Sequence, residues 1–177
     1  MCTVITHPAV PLALSVFLPA EIATPPLIFA GALCSIVPDL DVITFDFGIE
    51  YRSMFGHRGF THSILFAIVW AAIISLIFFR RGEGNILVVF LFLLLSTLSH
   101  PFLDALTNGG LGVAFFAPFS NQRHFFPWRP IAVSPIGFGF FSSRGVAVLW
   151  SEIKWVWAPS SLVFCLGLAL RRLRYHV

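Results

Sequence analysis

Two apolar segments near the middle of the chain decide its fold: FTHSILFAIVWAAIISLIFFRR at residues 60–81 and ILVVFLFLLLSTLSHPFL at residues 86–103. A helix needs roughly 20 mostly apolar residues to cross a bilayer, and both segments are close to that length. Because only a short turn at residues 82–85 separates them, the two segments predict a hairpin of membrane helices.

The composition of the whole chain agrees with this prediction. Of its 177 residues, 58% are hydrophobic and 11% are charged, and the mean hydropathy is +0.90. Such values exclude a soluble globular enzyme, a disordered chain and a coiled coil. The formal charge of +3 comes from a few clustered residues and gives no support for nucleic-acid binding. We therefore expect an all-α, polytopic membrane protein with a single integral membrane domain over residues 1–177.

Further apolar helices are predicted on both sides of the hairpin, which gives about five in total. The run Val10–Val37 is interrupted by Pro19 and Pro25–Pro26, so we interpret it as two short helices joined by a tight turn. The run Trp155–Leu170 predicts the last helix. Before it, residues 105–154 form a long aromatic, Pro-rich outer segment that we expect to lie against the membrane interface.

The basic residues set the expected orientation of the chain. Arg80–Arg81 and the segment Arg171–Arg174 adjoin apolar runs, and the positive-inside bias places both in the cytoplasm. Alternation then places residues 38–59 and 105–154 at the non-cytoplasmic face. Since no Lys or Arg precedes the first apolar run, we expect no cleaved secretory signal peptide.

The cysteines do not indicate a site. Cys2, Cys34 and Cys165 are odd in number, far apart and outside any CxxC spacing, so they predict neither a disulfide framework nor a thiolate zinc site. Cys34 and Cys165 lie in apolar runs and are expected to be packing residues. Candidate functional groups must come from other polar side chains.

Four polar clusters stand out from the apolar background. They are His7; Asp39 and Asp41; His57 and His62; and His100 with Asp104. Polar groups near a bilayer are costly unless they are paired, so each cluster is a hypothesis for a functional site. The orientation deduced from the arginines alone places all four clusters at the outer ends of their helices, which favours one shared site.

The spacing within the clusters suits metal binding. His100 and Asp104 are four residues apart, so on a helix they lie on one face, one turn apart. Asp39 and Asp41 alternate in a segment that we expect to be extended or turn-like after Pro38, where two carboxylates can bridge ions.

The third cluster is better explained by a loop and a helix start than by one helix face. His57 and His62 are five residues apart, so we interpret His57 as a loop ligand and His62 as a ligand from the first turn. Thr61 is the predicted N-cap of the helix that follows.

Ordinary explanations compete with some of these assignments. His7 suits an interfacial polar residue as well as a ligand, and Asp39 or Asp41, taken singly, suits a turn residue. Arg58 can hold a phosphate through two hydrogen bonds, but a salt bridge to one of the two aspartates is the competing interpretation. His176 belongs to the basic tail.

The motifs, taken in order, resemble those of a known family. TH at 6–7, PDLD at 38–41, HRGFTHS at 57–63 and HPFLDALTNGG at 100–110 are similar to motifs of the YdjM-type family of membrane-bound metal-dependent hydrolases. The likeness spans most of the chain, and the HRGxTHS motif is its specific part. It implies a multi-spanning inner-membrane protein of bacteria or archaea, distantly like the helical folds of zinc-dependent phospholipase C and single-strand nucleases.

The resemblance also implies a metal site. On the family's pattern the ligand candidates are His7, Asp39, Asp41, His57, His62, His100 and Asp104. Imidazoles and carboxylates suit Zn²⁺, Mn²⁺ or Fe²⁺ alike, and we expect roughly one to three ions, with zinc favoured.

The leading hypothesis is a phosphoester hydrolase that acts at the non-cytoplasmic membrane face on a lipid or lipid-linked substrate. Asp39 or Asp41 would bridge ions or accept a proton from water. Arg58, with Arg123 and Arg129 from the outer segment, would neutralise the phosphate. Arg123 and Arg129 have an alternative role in binding anionic headgroups without catalysis.

Two other functions remain open at this point. A metal-ion or proton carrier predicts ligands at several depths along the helices. The sequence instead concentrates the ionisable residues at helix ends on one side, which disfavours conduction. A non-catalytic membrane scaffold stabilised by a metal is the third hypothesis, and the sequence does not indicate an oligomeric state.

Overall fold

The computed structural model describes residues 1–80, 84–135 and 137–175. Within these ranges the protein is all-helical, as predicted, and extended segments meet only at two isolated β-bridges, Thr107 with Ile131 and Val113 with His124. The α-helices are α1 (Ala9–Leu14), α2 (Pro25–Cys34), α3 (Ile64–Ile74), α4 (Ile86–Ala105), α5 (Ser143–Glu152) and α6 (Ala158–Tyr175).

The predicted central hairpin is formed by α3 and α4, which pack against each other. A π-helical turn extends α3, so its apolar helix covers Ile64–Phe79. The N-cap of α3 is Ser63, whose hydroxyl accepts a hydrogen bond from the backbone N–H of Phe66 (3.0 Å). The prediction of Thr61 as N-cap is wrong. The Thr61 hydroxyl instead donates to the Asp41 carboxylate (2.7 Å), which is a stronger acceptor than an uncharged group.

An apolar core joins α2, α3 and α4. Leu27, Ala71 and Leu93 are buried in it. Gly31 allows α2 to approach α4 closely, since an added Cβ would lie 2.5 Å from Cε1 of Phe92. The buried residues of this core include no carboxylate and no imidazole among the described residues.

The segment after α2 differs from the sequence prediction. Residues Val37–Phe47 form a 3-10 helix, which ends at Gly48 in the left-handed conformation (φ 72°). The expectation of an extended or turn-like segment around Asp39 and Asp41 is therefore wrong. At three residues per turn, side chains two positions apart point in different directions, so these two carboxylates meet different partners.

The last helical segment begins earlier than the predicted Trp155. α5 continues through a π-helical turn at Ile153–Trp157 into α6, which gives one helical segment over Ser143–Leu173. Arg144 and Glu152 lower the hydropathy of α5, so no apolar run marks this helix in the sequence. The outer segment therefore ends near residue 142 rather than at 154.

Three of the described helical segments are long and apolar enough to cross a membrane: Pro25–Phe47, Ile86–Ala105 and Ser143–Leu173. The described part of α3 with its extension is a shorter apolar helix. The predictions for Arg81, on the cytoplasmic side, and for His176, in the basic tail, fall outside the described residues.

The outer segment packs over the C-terminal end of α4. The backbone N–H of Phe126 donates to the carbonyl of Ala105 (3.0 Å), and that of Ala114 donates to the carbonyl of Arg58 (3.0 Å). Val113 and Phe115 are buried against Ala105. The segment thus covers the end of the bundle where the candidate ligands lie.

Candidate metal centre

The structure brings the four polar clusters together at one end of the bundle. His7 precedes α1, Asp39 and Asp41 lie on the 3-10 helix, and His57 and His62 lie in the connection before α3. His100 and Asp104 lie on the last turns of α4. All seven side chains are buried, with at most 5% of each residue exposed.

Four of these residues, Asp39, His62, His100 and Asp104, form an inner set. Nε2 of His100 lies 3.1 Å from Nε2 of His62 and 3.3 Å from Oδ1 of Asp39. Nε2 of His62 lies 3.7 Å from both Asp39 Oδ1 and Asp104 Oδ2. Ligands about 2.0–2.1 Å from a tetrahedral ion are about 3.3 Å apart. The inner set therefore has dimensions that suit one metal ion.

The hydrogen bonding of the inner set supports the same conclusion. Both carboxylate oxygens of Asp39 are buried without a hydrogen-bond partner among the described residues, whereas Oδ2 of Asp104 has Arg58 Nε 2.9 Å away. Buried polar atoms are normally paired, because an unpaired one costs its full desolvation free energy. Lone pairs that converge without donors fit a bound cation.

The tautomer of His100 is fixed from outside the centre. Its Nδ1 lies 2.8 Å from the carbonyl oxygen of Ser35, which can only accept a hydrogen bond. Nδ1 therefore carries the proton, and the lone pair of Nε2 faces Asp39 and His62. Such an outer partner is typical of histidines that bind metals.

His7 lies on the other side of His100. The two imidazole rings are stacked, with centroids 3.7 Å apart. Nε2 of His7 is 4.0 Å from Asp39 Oδ2 and 4.0 Å from Asp104 Oδ1, and both ring nitrogens lack a partner among the described residues. His7 is thus positioned as an additional ligand, and a ligand atom from each of His7, Asp104 and Cys2 lies within 4.8 Å of the others.

Asp41 has a different environment from Asp39. It lies 2.7 Å from Nδ1 of His57 and 3.1 Å from Nδ1 of His62, and it accepts hydrogen bonds from Thr61 Oγ1 and from the backbone N–H of Arg58. A carboxylate with these partners orients the two imidazoles. One ligand atom from each of Asp41, His57 and His62 also lies within 4.8 Å of the others, which suits a second metal position.

Arg58 is completely buried and pairs with a partner that the sequence did not suggest. Its Nε lies 2.9 Å from Asp104 Oδ2, rather than beside either of the two predicted aspartates. Its other guanidinium nitrogens donate to the carbonyl of Gly109 and to the hydroxyl of Thr107, both at 3.1 Å. The φ of Arg58 is 62°, which is uncommon for a residue other than glycine. The structure therefore uses Arg58 as a buried counter-charge for Asp104.

Two imidazoles of the centre have pKa values shifted in opposite directions. Burial, reinforced by His100, lowers the pKa of His7 to about 3. Burial also acts to lower the pKa of His62, but Asp39 and Asp41 outweigh it and raise that pKa to about 9. The surplus of carboxylates thus favours a positive charge, which either a proton on His62 or a metal ion supplies.

The two arginines predicted for the outer segment have other contacts. The guanidinium of Arg123 donates to the carbonyls of His57 (2.7 Å), Tyr51 (2.9 Å) and Ser53 (2.9 Å). Arg123 thereby holds the loop that carries His57. The guanidinium of Arg129 lies over the ring of Phe125, 4.8 Å from its centroid.

Glu152, which no sequence pattern had indicated, is fully buried on α5. Its carboxylate accepts hydrogen bonds from the backbone N–H and the hydroxyl of Thr3 (both 2.5 Å) and from the hydroxyl of Thr6 (2.9 Å). Trp157 Nε1 also donates to the Thr6 hydroxyl (2.9 Å). These contacts fix the N-terminal segment that carries His7. A carboxylate next to an apolar helix was the signal that could have identified it.

Sequence spacing also could not reveal the position of Cys2. Its backbone N–H donates to Asp104 Oδ1 (2.8 Å), and its side chain is fully buried near His7. The nearest candidate partner in the chain, His7, is not at a recognised metal-binding spacing from it. Cys34 and Cys165 show no such arrangement: Cys34 is buried in the apolar core and Cys165 is exposed.

The fold and the centre define a class of protein: a helical membrane protein with histidine and aspartate side chains buried together at one end of its helices. The chain matches the family described as YdjM inner membrane protein over residues 1–176, and it belongs to that family. A relative, inner membrane protein YbcI of Escherichia coli (strain K12), is 43% identical over 164 residues, which are 92% of this chain and 95% of the relative. No solved structure matches the chain.

These comparisons confirm the resemblance inferred from the motifs. They also confirm the predicted location, so the protein is an inner membrane protein. The distant likeness to zinc-dependent phospholipase C stays a prediction, as do the metal and the reaction.

Proposed function

We propose that this protein is a membrane-embedded, metal-dependent hydrolase that cleaves phosphoester bonds in a lipid or lipid-linked substrate at the non-cytoplasmic face. The observation that carries the proposal is the inner set, Asp39, His62, His100 and Asp104. One ligand atom from each of these residues lies within 4.8 Å of the others, and both carboxylate oxygens of Asp39 are buried without a hydrogen-bond partner among the described residues.

The donor set supports a catalytic metal rather than a purely structural one. Structural zinc sites are dominated by cysteine, whereas the inner set offers only imidazole and carboxylate groups. These ligands suit Zn²⁺, Mn²⁺ or Fe²⁺, and the adjoining groups extend the proposal to roughly one to three ions. When bound, such an ion supplies Lewis acidity that lowers the pKa of water and polarises a phosphoryl oxygen.

Two aspartates and one arginine of the centre have different proposed roles. Asp39, whose oxygens lack donors, is the proposed proton acceptor and ligand. Asp41 orients His57 and His62, so its proposed contribution is to ligand geometry. Arg58 balances the charge of Asp104.

We assign different roles to the two outer arginines. Arg123 is occupied by three carbonyl groups, so in the proposal it stabilises the loop that carries His57. Arg129, on the same segment, is the candidate for contact with anionic headgroups or with the substrate's phosphate.

The carrier hypothesis is disfavoured by the distribution of ionisable groups. The described residues of α3 and its extension, 64–79, contain no ionisable side chain, and neither do residues 86–99 of α4. A conduction path through the bundle would need such groups at several depths. The non-catalytic scaffold is disfavoured by the donor set without cysteine, and the presence or absence of turnover distinguishes it from the hydrolase.

The experiment combines metal content with turnover. The protein is purified in detergent without chelator, its metals are measured by elemental analysis, and hydrolysis of bis(4-nitrophenyl) phosphate and 4-nitrophenyl phosphate is followed. We expect a bound transition metal, hydrolysis of at least one ester, loss of the activity with a chelator and recovery with Zn²⁺ or Mn²⁺.

A pair of histidine variants makes the test specific. His62→Ala removes a ligand of the inner set, whereas His124→Ala removes a histidine whose ring packs against Phe116 in the outer segment. We expect the first variant to lose metal and turnover and the second to keep both. Metal without turnover on any phosphoester would support the scaffold instead.

The orientation needs its own measurement. Phe119 is 86% exposed on the outer segment and Leu173 is 65% exposed near the end of α6, so both positions are accessible to labelling. With the exposed Cys165 first replaced by Ser, we expect Phe119→Cys to react with an impermeant thiol reagent from the periplasm. Leu173→Cys should react only after the membrane is opened. The reverse pattern would place the centre on the cytoplasmic face.

A further inference from the structure

A cavity of about 370 Å³ lies beside the metal centre, and Asp39 forms part of its wall. Its other described lining residues come from the N-terminal segment, the 3-10 helix and the outer segment: Met1, Thr3, Val4, Ile5, Val42, Ser134, Pro135 and Phe140. The volume is within the range of about 300–1,000 Å³ that small-molecule sites occupy. The cavity is therefore large enough to admit part of a substrate to the centre.

The wall of this cavity is apolar except near Asp39. Among the described residues that line it, Asp39 has the only ionisable side chain, and the α-amino group of Met1, which interacts electrostatically with Asp104 and Asp39, is the other titratable group. The Thr3 hydroxyl already donates to Glu152 (2.5 Å), and the Ser134 hydroxyl donates to the carbonyl of Pro135 (3.1 Å). Neither hydroxyl proton is available to a ligand. The carboxylate of Asp39 is 95% buried, and both its oxygens lack a hydrogen-bond partner among the described residues.

The rim of the cavity suits contact with hydrocarbon. Val4 is 41% exposed and Ile5 is 61% exposed, and both belong to the lining. Because the cavity is open to the surface beside these exposed aliphatic side chains, a ligand has a continuous apolar path from the surface to Asp39.

We propose that this cavity binds the hydrocarbon chain of a substrate whose phosphate is bonded directly to that chain, a long-chain alkyl or alkenyl phosphate monoester. The proposal rests on the proposed function, because the phosphate would be bound at the Asp39 end by a metal that Asp39, His62, His100 and Asp104 would hold. A glycerophospholipid fits less well, because its glycerol and ester groups would lie against a wall that offers them no free hydroxyl donor.

The reaction of such a substrate is a simple hydrolysis. A water oxygen bonds to phosphorus, the bond between phosphorus and the chain's oxygen breaks, and that oxygen takes up a proton as the alcohol leaves. The products are a long-chain alcohol and inorganic phosphate, and no oxidant or reductant is needed.

Three phosphate monoesters test the proposal on the full-length, metal-loaded protein. Farnesyl phosphate has the predicted direct bond between chain and phosphate. Phosphatidic acid has the same phosphate group but carries glycerol esters between it and the chains, and 4-nitrophenyl phosphate has no long chain. We expect kcat/KM to be about tenfold higher for farnesyl phosphate than for phosphatidic acid, because placing the ester groups of phosphatidic acid against the apolar wall without hydrogen-bond donors costs about 1.4 kcal/mol, the free energy that a tenfold ratio represents.

Variants that fill the cavity provide the second arm. Val42→Trp and Val4→Trp approach it from different segments, so that one remains informative if the other fails to fold. The matched control is Leu33→Trp, which fills a separate apolar cavity of about 510 Å³ between α2 and α3. We expect both cavity variants to lower kcat/KM for farnesyl phosphate about tenfold, while their metal content and their rate on 4-nitrophenyl phosphate stay near those of the unmodified protein. The control should change none of these values.

The outcomes separate this inference from the function on which it rests. Hydrolysis of 4-nitrophenyl phosphate with equal rates on both long-chain esters, or with no effect of either cavity variant, overturns the cavity's role alone. A higher rate on phosphatidic acid overturns it in favour of a glycerophospholipid. Absence of metal, or of turnover on these three esters and on bis(4-nitrophenyl) phosphate, overturns both proposals, whereas turnover on that diester alone overturns only the cavity's role.

Discussion

The two halves of α4 bury opposite kinds of side chain. Its first half, residues 86–95, buries Val89, Phe92 and Leu93 in the apolar core. Its second half buries His100 and Asp104 together with the hydroxyls of Ser96 and Thr97. One continuous helix thus spans an apolar end and a polar end of the same bundle.

The difference shows that apolar packing and charge pairing act in separate halves of the helix. In the apolar half each side chain contributes its packing nearly independently, so removing one leaves a cavity and little else. In the polar half the side chains depend on one another, because three buried carboxylates, Asp39, Asp41 and Asp104, face one buried arginine, Arg58. That end needs a further positive charge, whereas the other end does not.

The largest contrast is expected between alanine variants in the two halves of α4. His100→Ala should lose most of the bound metal, because it removes a ligand of the inner set, and should leave membrane insertion intact. Leu93→Ala should keep the metal and lose about 2–5 kcal/mol of unfolding free energy, because the side chain is fully buried. Elemental analysis and denaturation in mixed micelles measure the two effects.

The two effects can also be separated by adding a chelator. The unmodified protein and Leu93→Ala should both lose thermal stability when metal is removed, since bound metal stabilises the folded state. His100→Ala should show no such shift. Equal metal content in His100→Ala and the unmodified protein would contradict the centre as described.

The next effect concerns the buried counter-charge. Arg58→Met leaves Asp104 without its partner and should cost about 3–5 kcal/mol of stability. Arg58→Lys keeps the charge but cannot bond Thr107, Gly109 and Asp104 together, so we expect metal content and turnover to fall in parallel.

Arg58→Lys also tests the phosphate-binding role predicted from the sequence. If Arg58 holds the substrate's phosphate, the lysine variant should retain its metal and lose turnover alone. Arg52→Lys, at an exposed position of the same loop, is the control and should change neither quantity.

A smaller effect is expected when the carboxylate outside the inner set is changed. Asp41→Asn keeps the shape of the side chain but weakens its hold on His57 and His62, so metal affinity should fall about 10–100-fold. Competition with a chelator of known affinity measures the change. Asp46→Asn, on the exposed side of the same 3-10 helix, should leave the affinity unchanged. A complete loss of metal would instead make Asp41 a direct ligand.

Much of the fold could be predicted because hydropathy acts over long runs. The hairpin of α3 and α4 followed from two such runs, and the grouping of His100 with Asp104 followed from helical periodicity. The start of α5 could not be predicted in this way, since Arg144 and Glu152 make it look like a loop. Its helicity comes from continuity with α6 and from burial of Glu152.

The sequence also indicated which residues gather, but not which of them touch. The positions of the four clusters at helix ends predicted that they lie on one side of the bundle. The ion pair between Arg58 and Asp104 could not be predicted, because it joins residues 46 positions apart and depends on how the outer segment folds back. The choice between Thr61 and Ser63 as N-cap likewise depended on where Asp41 lies. Such contacts are decided by tertiary packing, which spacing does not encode.

The smallest expected effect extends the comparison to the contact between α5 and the N-terminal segment. Glu152→Gln keeps the size of the side chain but replaces charge-assisted hydrogen bonds to Thr3 and Thr6 with neutral ones, at a cost of about 1 kcal/mol. Hydrogen exchange in the N-terminal segment should therefore accelerate about fivefold. The affinity for metal should fall by a similar factor, because His7 is carried by the same segment. Glu50→Gln, at an exposed position, is the control. Faster exchange with unchanged metal affinity would mean that His7 is not a ligand, and unchanged exchange would mean that Glu152 does not hold the segment.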